Sequence, residues 1–203
     1  MWLSHFFFRF ENSTSSLTNP TPKGQQIMKH PFVFKVEKSV EAILYIGQNV
    51  EEPTFHRISK VMYFADKNHL EKYGRFICGD SYVAMKHGPV PSGTYDILKT
   101  VRDDGFAPLA DINAAKQAFV VVDKFLVKPL REAREDCFSE SDLECLNHAI
   151  KQYGLLSFSQ LTDLSHDQAW QTTDENDYID IEQIVAVLNT DYLLDYLLEP
   201  YPE

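Results

Sequence analysis

Between Thr54 and Gly74 the chain carries one uninterrupted helical pattern, and any fold must be built around it. Phe55, Ile58, Val61, Met62, Ala65, His69, Leu70 and Tyr73 recur at spacings of three and four residues, the period of one face of an α-helix. Pro53-Thr54 supplies a break and an N-cap, and Gly74 supplies the stop. This helix is expected to be central. After it the period disappears: Arg75 to Gly88 contains Gly79-Asp80 and offers Tyr82-Val83-Ala84-Met85 as a short strand. Gly88-Pro89-Val90-Pro91 reads as a turn. Ser92 is then expected to cap a further helix, with Tyr95, Leu98 and Val101 on its apolar face and Gly105 closing it.

The flanking sequence completes a mainly helical pattern. Val36, Val40, Ile43, Leu44 and Gly47 predict an amphipathic helix over Val36 to Gln48. Ala118 to Val127 is rich in β-branched residues and is interrupted by Asp123-Lys124, which fits one bent strand or a tight hairpin ended by Pro129. Ser139-Glu140-Ser141-Asp142 resembles a capping box ahead of Leu143, Leu146, Ile150 and Tyr153, with Gly154 as the stop. Ser157 to Gln160 repeats the device. A polar bridge, Thr172 to Asp177, leads to a last helix on Ile181, Ile184, Val185 and Leu188. With no internal repeat and no long linker, the expectation is α+β: a mainly helical single domain with a small β element.

A length of 203 residues with 44% hydrophobic side chains suffices for one compact domain and is cramped for two. The three cysteines (Cys78, Cys137, Cys145) form no C-x-x-C pair, so neither a disulfide framework nor a cysteine-rich zinc module is encoded, and a reducing cytoplasm is the expected setting. No apolar run approaches the roughly 20 residues that cross a bilayer. The formal charge of -11 is unevenly spread: residues 28 to 130 hold 14 Lys/Arg against 12 Asp/Glu, whereas residues 131 to 203 hold 3 against 17. So acidic a final third repels nucleic acid and anionic lipid and attracts a basic protein, unless it serves solubility alone.

Met1 to Ile27 differs from the rest. An aromatic cluster (Trp2, Phe6, Phe7, Phe8, Phe10) precedes a Ser/Thr/Asn run and Pro20, Pro22 and Gly24, without periodicity. The cluster is interrupted by His5 and Arg9 and lacks a cleavage site, which argues against a signal peptide. Lys23-Gly24 must be encoded by a codon pair containing AAGG, shortly before Met28, as a translated bacterial ribosome-binding site would be. Residues 1–27 are therefore expected to be a disordered tail or an over-extended start, with a domain over 28–190 and an acidic Leu/Tyr tail over 191–203.

Several enzyme signatures are absent: no G-x-G-x-x-G, P-loop, H-E-x-x-H, G-x-S-x-G or H-R-D occurs. The remaining candidates for chemistry are histidines near carboxylates. Asp66 and His69 share a helical face, and His56, His87 and His166 lie elsewhere. A metal- or histidine-dependent hydrolase built on Asp66, His69, His87 and His166 is one reading. The other, favoured because no pair has a tight ligand spacing, makes Asp66-His69 a local hydrogen-bonded pair and His87 and His166 satisfied, partly buried side chains. No metal and no cofactor is expected.

Lys60-Val61-Met62-Tyr63-Phe64-Ala65-Asp66-Lys67-Asn68-His69-Leu70-Glu71-Lys72-Tyr73-Gly74 is followed by Gly79-Asp80-Ser81-Tyr82-Val83-Ala84-Met85-Lys86-His87-Gly88-Pro89-Val90-Pro91-Ser92 and Tyr95-Asp96. These blocks strongly resemble the Panacea domain of SocA-like antitoxins, also described as GepA-type phage-associated proteins. Leu164-Ser165-His166-Asp167 with Ala169-Trp170 is similar to that family's second signature, so the resemblance spans roughly Val36 to Leu188. Cys78 departs from the Thr or Ser common before Gly-Asp.

The resemblance implies a non-enzymatic antitoxin that neutralises a co-encoded toxin by direct contact in the cytoplasm, with a protease as a further partner if it delivers its toxin for degradation. The alternative without a toxin is a phage or regulatory interaction protein. The matching residues Tyr63, Asp66, His69, Asp80, Tyr82, Lys86, His87, Gly88, Pro89, Pro91, Tyr95, His166 and Trp170 either touch the toxin or form the scaffold. Two prolines would make Gly88 to Pro91 a stiff loop presenting its flanks to a partner.

Overall fold

The computed structural model describes residues 30–105, 112–190 and 192–198. The expected tail or over-extended start at residues 1–27 and the expected start at Met28 lie outside them, as do residue 191 and residues 199–203 of the expected acidic tail. The first helix, α1 (Val36–Asn49), precedes α2 (Phe55–Tyr73), which is capped as expected: Thr54 Oγ1 accepts the Arg57 N–H at 3.2 Å, and Gly74 ends the helix at φ 69°. Every residue from Ile58 to Ala65 is buried, together with Asp66, His69 and Leu70. A helix enclosed on all sides is the hub of the core.

After α2 comes a hairpin, β1 (Tyr82–Met85) with β2 (Gly88–Pro91), pairing Tyr82 with Pro91 and Met85 with Gly88. The expected turn at Gly88-Pro89-Val90-Pro91 is thus a strand, and the turn is Lys86-His87. Prolines are tolerated because of the register. Tyr82 and Ala84 direct their backbone groups to the far side, where Ala84 N–H donates to Asp177 O (2.9 Å) and Asn176 and Ile179 donate back to Ala84 and Tyr82. The β1–β2 ladder therefore runs through Val83 and Met85, opposite Val90 and Gly88, and Pro89 and Pro91 occupy positions that need no N–H. The stiff exposed loop is likewise corrected: Gly88, Pro89 and Pro91 are buried against α2 and α6 (Phe158–Ser165).

The helix α3 (Ser92–Val101) begins where expected, but its cap comes from elsewhere. Asp80 accepts N–H bonds from Gly93 and Thr94 and the Thr94 hydroxyl, each at 2.8 Å, so a carboxylate at the hairpin entry satisfies the orphan donors of the helix start. Gly105 lies beyond the end of α3 at Val101. A short helix not foreseen, α4 (Ile112–Ala118), leads into a second hairpin, β3 (Phe119–Val122) with β4 (Leu126–Pro129). Asp123 (φ 49°) and Lys124 (φ 69°) turn it, which decides for the tight hairpin over the bent strand.

Both capping boxes are present, at the starts of α5 (Glu140–Tyr153) and α6. The remaining helices are the unforeseen α7 (Gln168–Gln171), then α8 (Ile181–Ala186) and α9 (Leu193–Leu198). The architecture is α+β and mainly helical, with α2 packed chiefly against α5, β2 and α6.

Gly88 is a tight point of this packing. At φ +97° it adopts a conformation unsuited to L side chains, and a Cβ there would lie 2.4 Å from Ser165 Oγ and 2.7 Å from Lys60 Nζ. Backbone strain of about 1–3 kcal/mol and overpacking of about 1–3 kcal/mol predict that Gly88→Ala destabilises the domain by about 2–6 kcal/mol in urea unfolding. A loss below about 0.5 kcal/mol, within the range of an ordinary surface change, would show that the hairpin is not locked against α2 and α6.

Candidate functional site

The polar residues carried inward on α2 are satisfied by three different parts of the fold. Asp66 is buried and accepts the Ile77 N–H at 2.7 Å and the Tyr82 hydroxyl at 2.6 Å. Burial raises its carboxyl to about 6, against the lowering effect of those two bonds. His69 faces away from it: Nδ1 lies 2.9 Å from Arg75 O, and Nε2 lies 3.1 Å from Ser141 Oγ and 3.2 Å from Asp142 Oδ1. The expected Asp66–His69 hydrogen bond is therefore not made. Residues three apart share a helical face, but each finds a nearer partner across it, in β1 or in α5.

Asp142 is itself a junction. It contacts Lys38 of α1, His69 of α2 and Arg75 (3.0 Å), and it accepts the Ser139 N–H at 2.8 Å to close the capping box. Burial alone would raise its carboxyl, but His69, Lys38 and Ser139 outweigh this and hold it well below the usual carboxylate range. The capping pattern pointed to this residue as a helix start; nothing local showed that it would join three helices.

The second sequence block meets the first in space. Asp167 accepts from Tyr63 (2.9 Å) and Lys67 (2.6 Å), while Trp170 Nε1 donates to Met85 O at 2.9 Å. His166 stacks on Trp170 with ring centroids 3.6 Å apart, and its Nε2 is buried without a hydrogen-bond partner among the described residues. Lys60, fully buried, donates to Pro89 O at 2.8 Å on the open edge of β2. No carboxylate pairs with it among the described residues, and burial pushes its ammonium down to about 7. The sequence offered no sign of this: a lysine among apolar residues of a helix reads as part of the wet face.

Most of the residues singled out from sequence are thus interior. Tyr63, Asp66, His69, Asp80, Tyr82, Gly88, Pro89 and Pro91 are buried, Tyr95, His166 and Trp170 are half-buried, and Lys86 and His87 at the hairpin tip are exposed. Of the four groups in the hydrolase reading, His87 and His166 lie within electrostatic reach of each other and of His56, and His166 also of Lys60, whereas Asp66 and His69 belong to the separate networks just described. Among the described residues no group of three or more His, Cys, Asp or Glu side chains is placed to hold a metal ion. The hairpin tip borders a cavity of about 610 Å³, with Phe55, Phe125 and Phe158 among its walls and His56 and Lys60 from α2. His56 stacks on Phe158 at 3.9 Å, and burial together with Lys60 lowers its imidazole to about 4.

Fold and site define an α+β domain in which two distant sequence blocks clamp a proline-edged hairpin onto a buried helix. A family model, the antitoxin SocA-like, Panacea domain, matches residues 58–171. That is more than half of the chain, and it includes α2 from Ile58 onward, both strands of the first hairpin and the Asp167–Trp170 block, so the protein belongs to this family. No curated protein and no solved structure matches the chain significantly.

The raised carboxyl of Asp66 gives a pH test of the interior network. Its folded-state pKa lies above the unfolded value, so the folded chain takes up the proton first, and the associated stability is lost as pH rises from about 4 through about 6. Tyr82→Phe removes a donor to this group. The loss should be about 1.5–3 kcal/mol at pH 8, where the acceptor is ionised, and about 0.5–1.5 kcal/mol at pH 5, where it is protonated. Equal losses at both pH values in chemical unfolding would mean that Asp66 does not titrate in this window.

Proposed function

We propose that the protein is an antitoxin that neutralises a co-encoded toxin by direct contact and performs no chemistry of its own. The observation that carries this reading is the family match, which covers the whole motif-bearing core. The burial of most motif residues supports it, since they act as scaffold for a surface. Expression of the toxin encoded beside it should arrest growth, and co-expression of this protein should restore it. Failure to rescue, with both proteins soluble, would count against the reading.

The partner is proposed to be basic, and the surface that meets it to include the bridge between α7 and α8. Asp174, Glu175 and Asp177 are exposed there. The bridge is fixed: Asn176 donates to Ala84 O (2.7 Å) and Ile179 to Tyr82 O (2.8 Å), extending the β1 edge. Fixed like charges on one rim steer an oppositely charged partner and raise the association rate. Raising ionic strength from about 0.05 to about 0.5 M shortens the Debye length from about 14 to about 4 Å and should slow association several-fold, with little change in dissociation. Reversing Asp174, Glu175 and Asp177 to Lys should have the same effect, and reversing the exposed Glu51 and Glu52 should have less. An association rate indifferent to salt in stopped-flow measurements would make the acidic surface a solubility feature only.

A further inference from the structure

The cavity beside the hairpin tip has a composition that the antitoxin reading does not call for. Its volume of about 610 Å³ falls within the roughly 300–1,000 Å³ of small-molecule sites. Its walls are aromatic, from α2 (Phe55), the β3–β4 turn (Phe125) and α6 (Phe158). Phe125 and Phe158 are about half exposed at 49% and 52%; His56 stacks on one face of Phe158 and the Arg102 guanidinium lies over Phe125, and the remaining ring surface lines the cavity.

Basic side chains outnumber acidic ones in the lining, the reverse of the chain as a whole. In a protein of net charge -11, the cavity gathers two lysines and two histidines (Lys60, Lys86, His56, His87) against one carboxylate, Glu175. Lys86 and His87 make no ion pair among the described residues, and Lys60 has the Pro89 carbonyl as its hydrogen-bond acceptor. The basic groups also disfavour one another: Lys60 and His87 both act to deprotonate His56. An anion placed among them would meet the Lys86 ammonium and offset the repulsion that helps to keep His56 neutral. The exposed tip Lys86-His87 can follow such a group without disturbing the core.

We propose that this cavity is a binding site for a small molecule with a flat apolar body and one anionic group, a carboxylate or a phosphate. The body lies against Phe55, Phe125 and Phe158, and the anion is held from the His56, Lys86 and His87 side. The site does not rest on the antitoxin reading, although Glu175 belongs both to its lining and to the acidic bridge.

Calorimetric titration of the full chain with 2-naphthoate, 2-naphthyl phosphate and the neutral 2-naphthamide tests it. At least one of the two anions should saturate a single site about tenfold more tightly than the amide, as a charge-assisted contact requires. Lys86→Glu, at an exposed turn where the fold should be unaffected, should weaken the anion at least about fivefold and leave the amide unchanged. Phe158→Ala should weaken all three. Equal affinity for anion and amide, or no response to Lys86→Glu, would reduce the site to an apolar cleft and overturn the proposal. Absence of saturation by either anion would overturn it too, and if Phe158→Ala then abolished toxin binding, the cavity would belong to the protein partner.

Discussion

A helix buried around its whole circumference cannot leave its polar side chains in water, and α2 carries Lys60, Asp66 and His69 into the interior. Burying such groups unpaired costs several kcal/mol each, so the rest of the fold is arranged to meet them. Asp66 is met by the Tyr82 hydroxyl and the Ile77 amide, His69 by Arg75 and by Ser141 and Asp142 of α5, and Lys60 by the carbonyl of Pro89. The most distant in sequence, His69 with Ser141, spans 72 residues by hydrogen bond, and Asp142 beside it lies one position further. These contacts specify the positions of β1, β2 and α5 relative to α2 more closely than apolar packing would.

The first hairpin shows how one constraint propagates. Because β1 is paired on its far side by the 176–179 bridge, the outer edge of β2 is the hairpin's remaining edge; it carries prolines at positions that need no partner strand and packs against α2 and α6. Lys60 caps the carbonyl at that edge, and Gly88 admits its ammonium by lacking a Cβ. Asp80, at the hairpin entry, caps α3 and through Thr94 reaches Ser39 of α1. Scaffold and candidate surface therefore share one short segment: its buried residues hold α1, α2 and α3 together, and Lys86-His87 project from it.

This division suits the family to which the chain belongs. A dense motif that is mostly interior preserves a shape, and the exposed residues around it can be substituted at little cost in stability. The hairpin tip, the aromatic mouth of the cavity and the acidic bridge all lie at the surface along the β1–β2 element.

Local chemistry was legible from the sequence wherever it acts over a few residues. Thr54 and Gly74 bound α2, Ser139 and Ser157 begin α5 and α6, and the period of Phe55 to Tyr73 marks a helix, because caps and helical faces depend on neighbours three or four positions away. Gly88 to Pro91 was misread because proline is a turn former in isolation, and its acceptance in a strand depends on which edge another segment covers. Asp66 and His69 were misread as a pair for the same reason: adjacency on a helix offered one partner, and the tertiary fold offered better ones. The clustering of His56, Lys60, Lys86 and His87 around one cavity, and the role of Asp142 in joining α1, α2 and α5, were decided by the tertiary structure alone. Long-range contacts between charged groups leave no periodic trace in a sequence; they exist only once packing has brought distant residues within a few ångströms and excluded the water that would otherwise screen them.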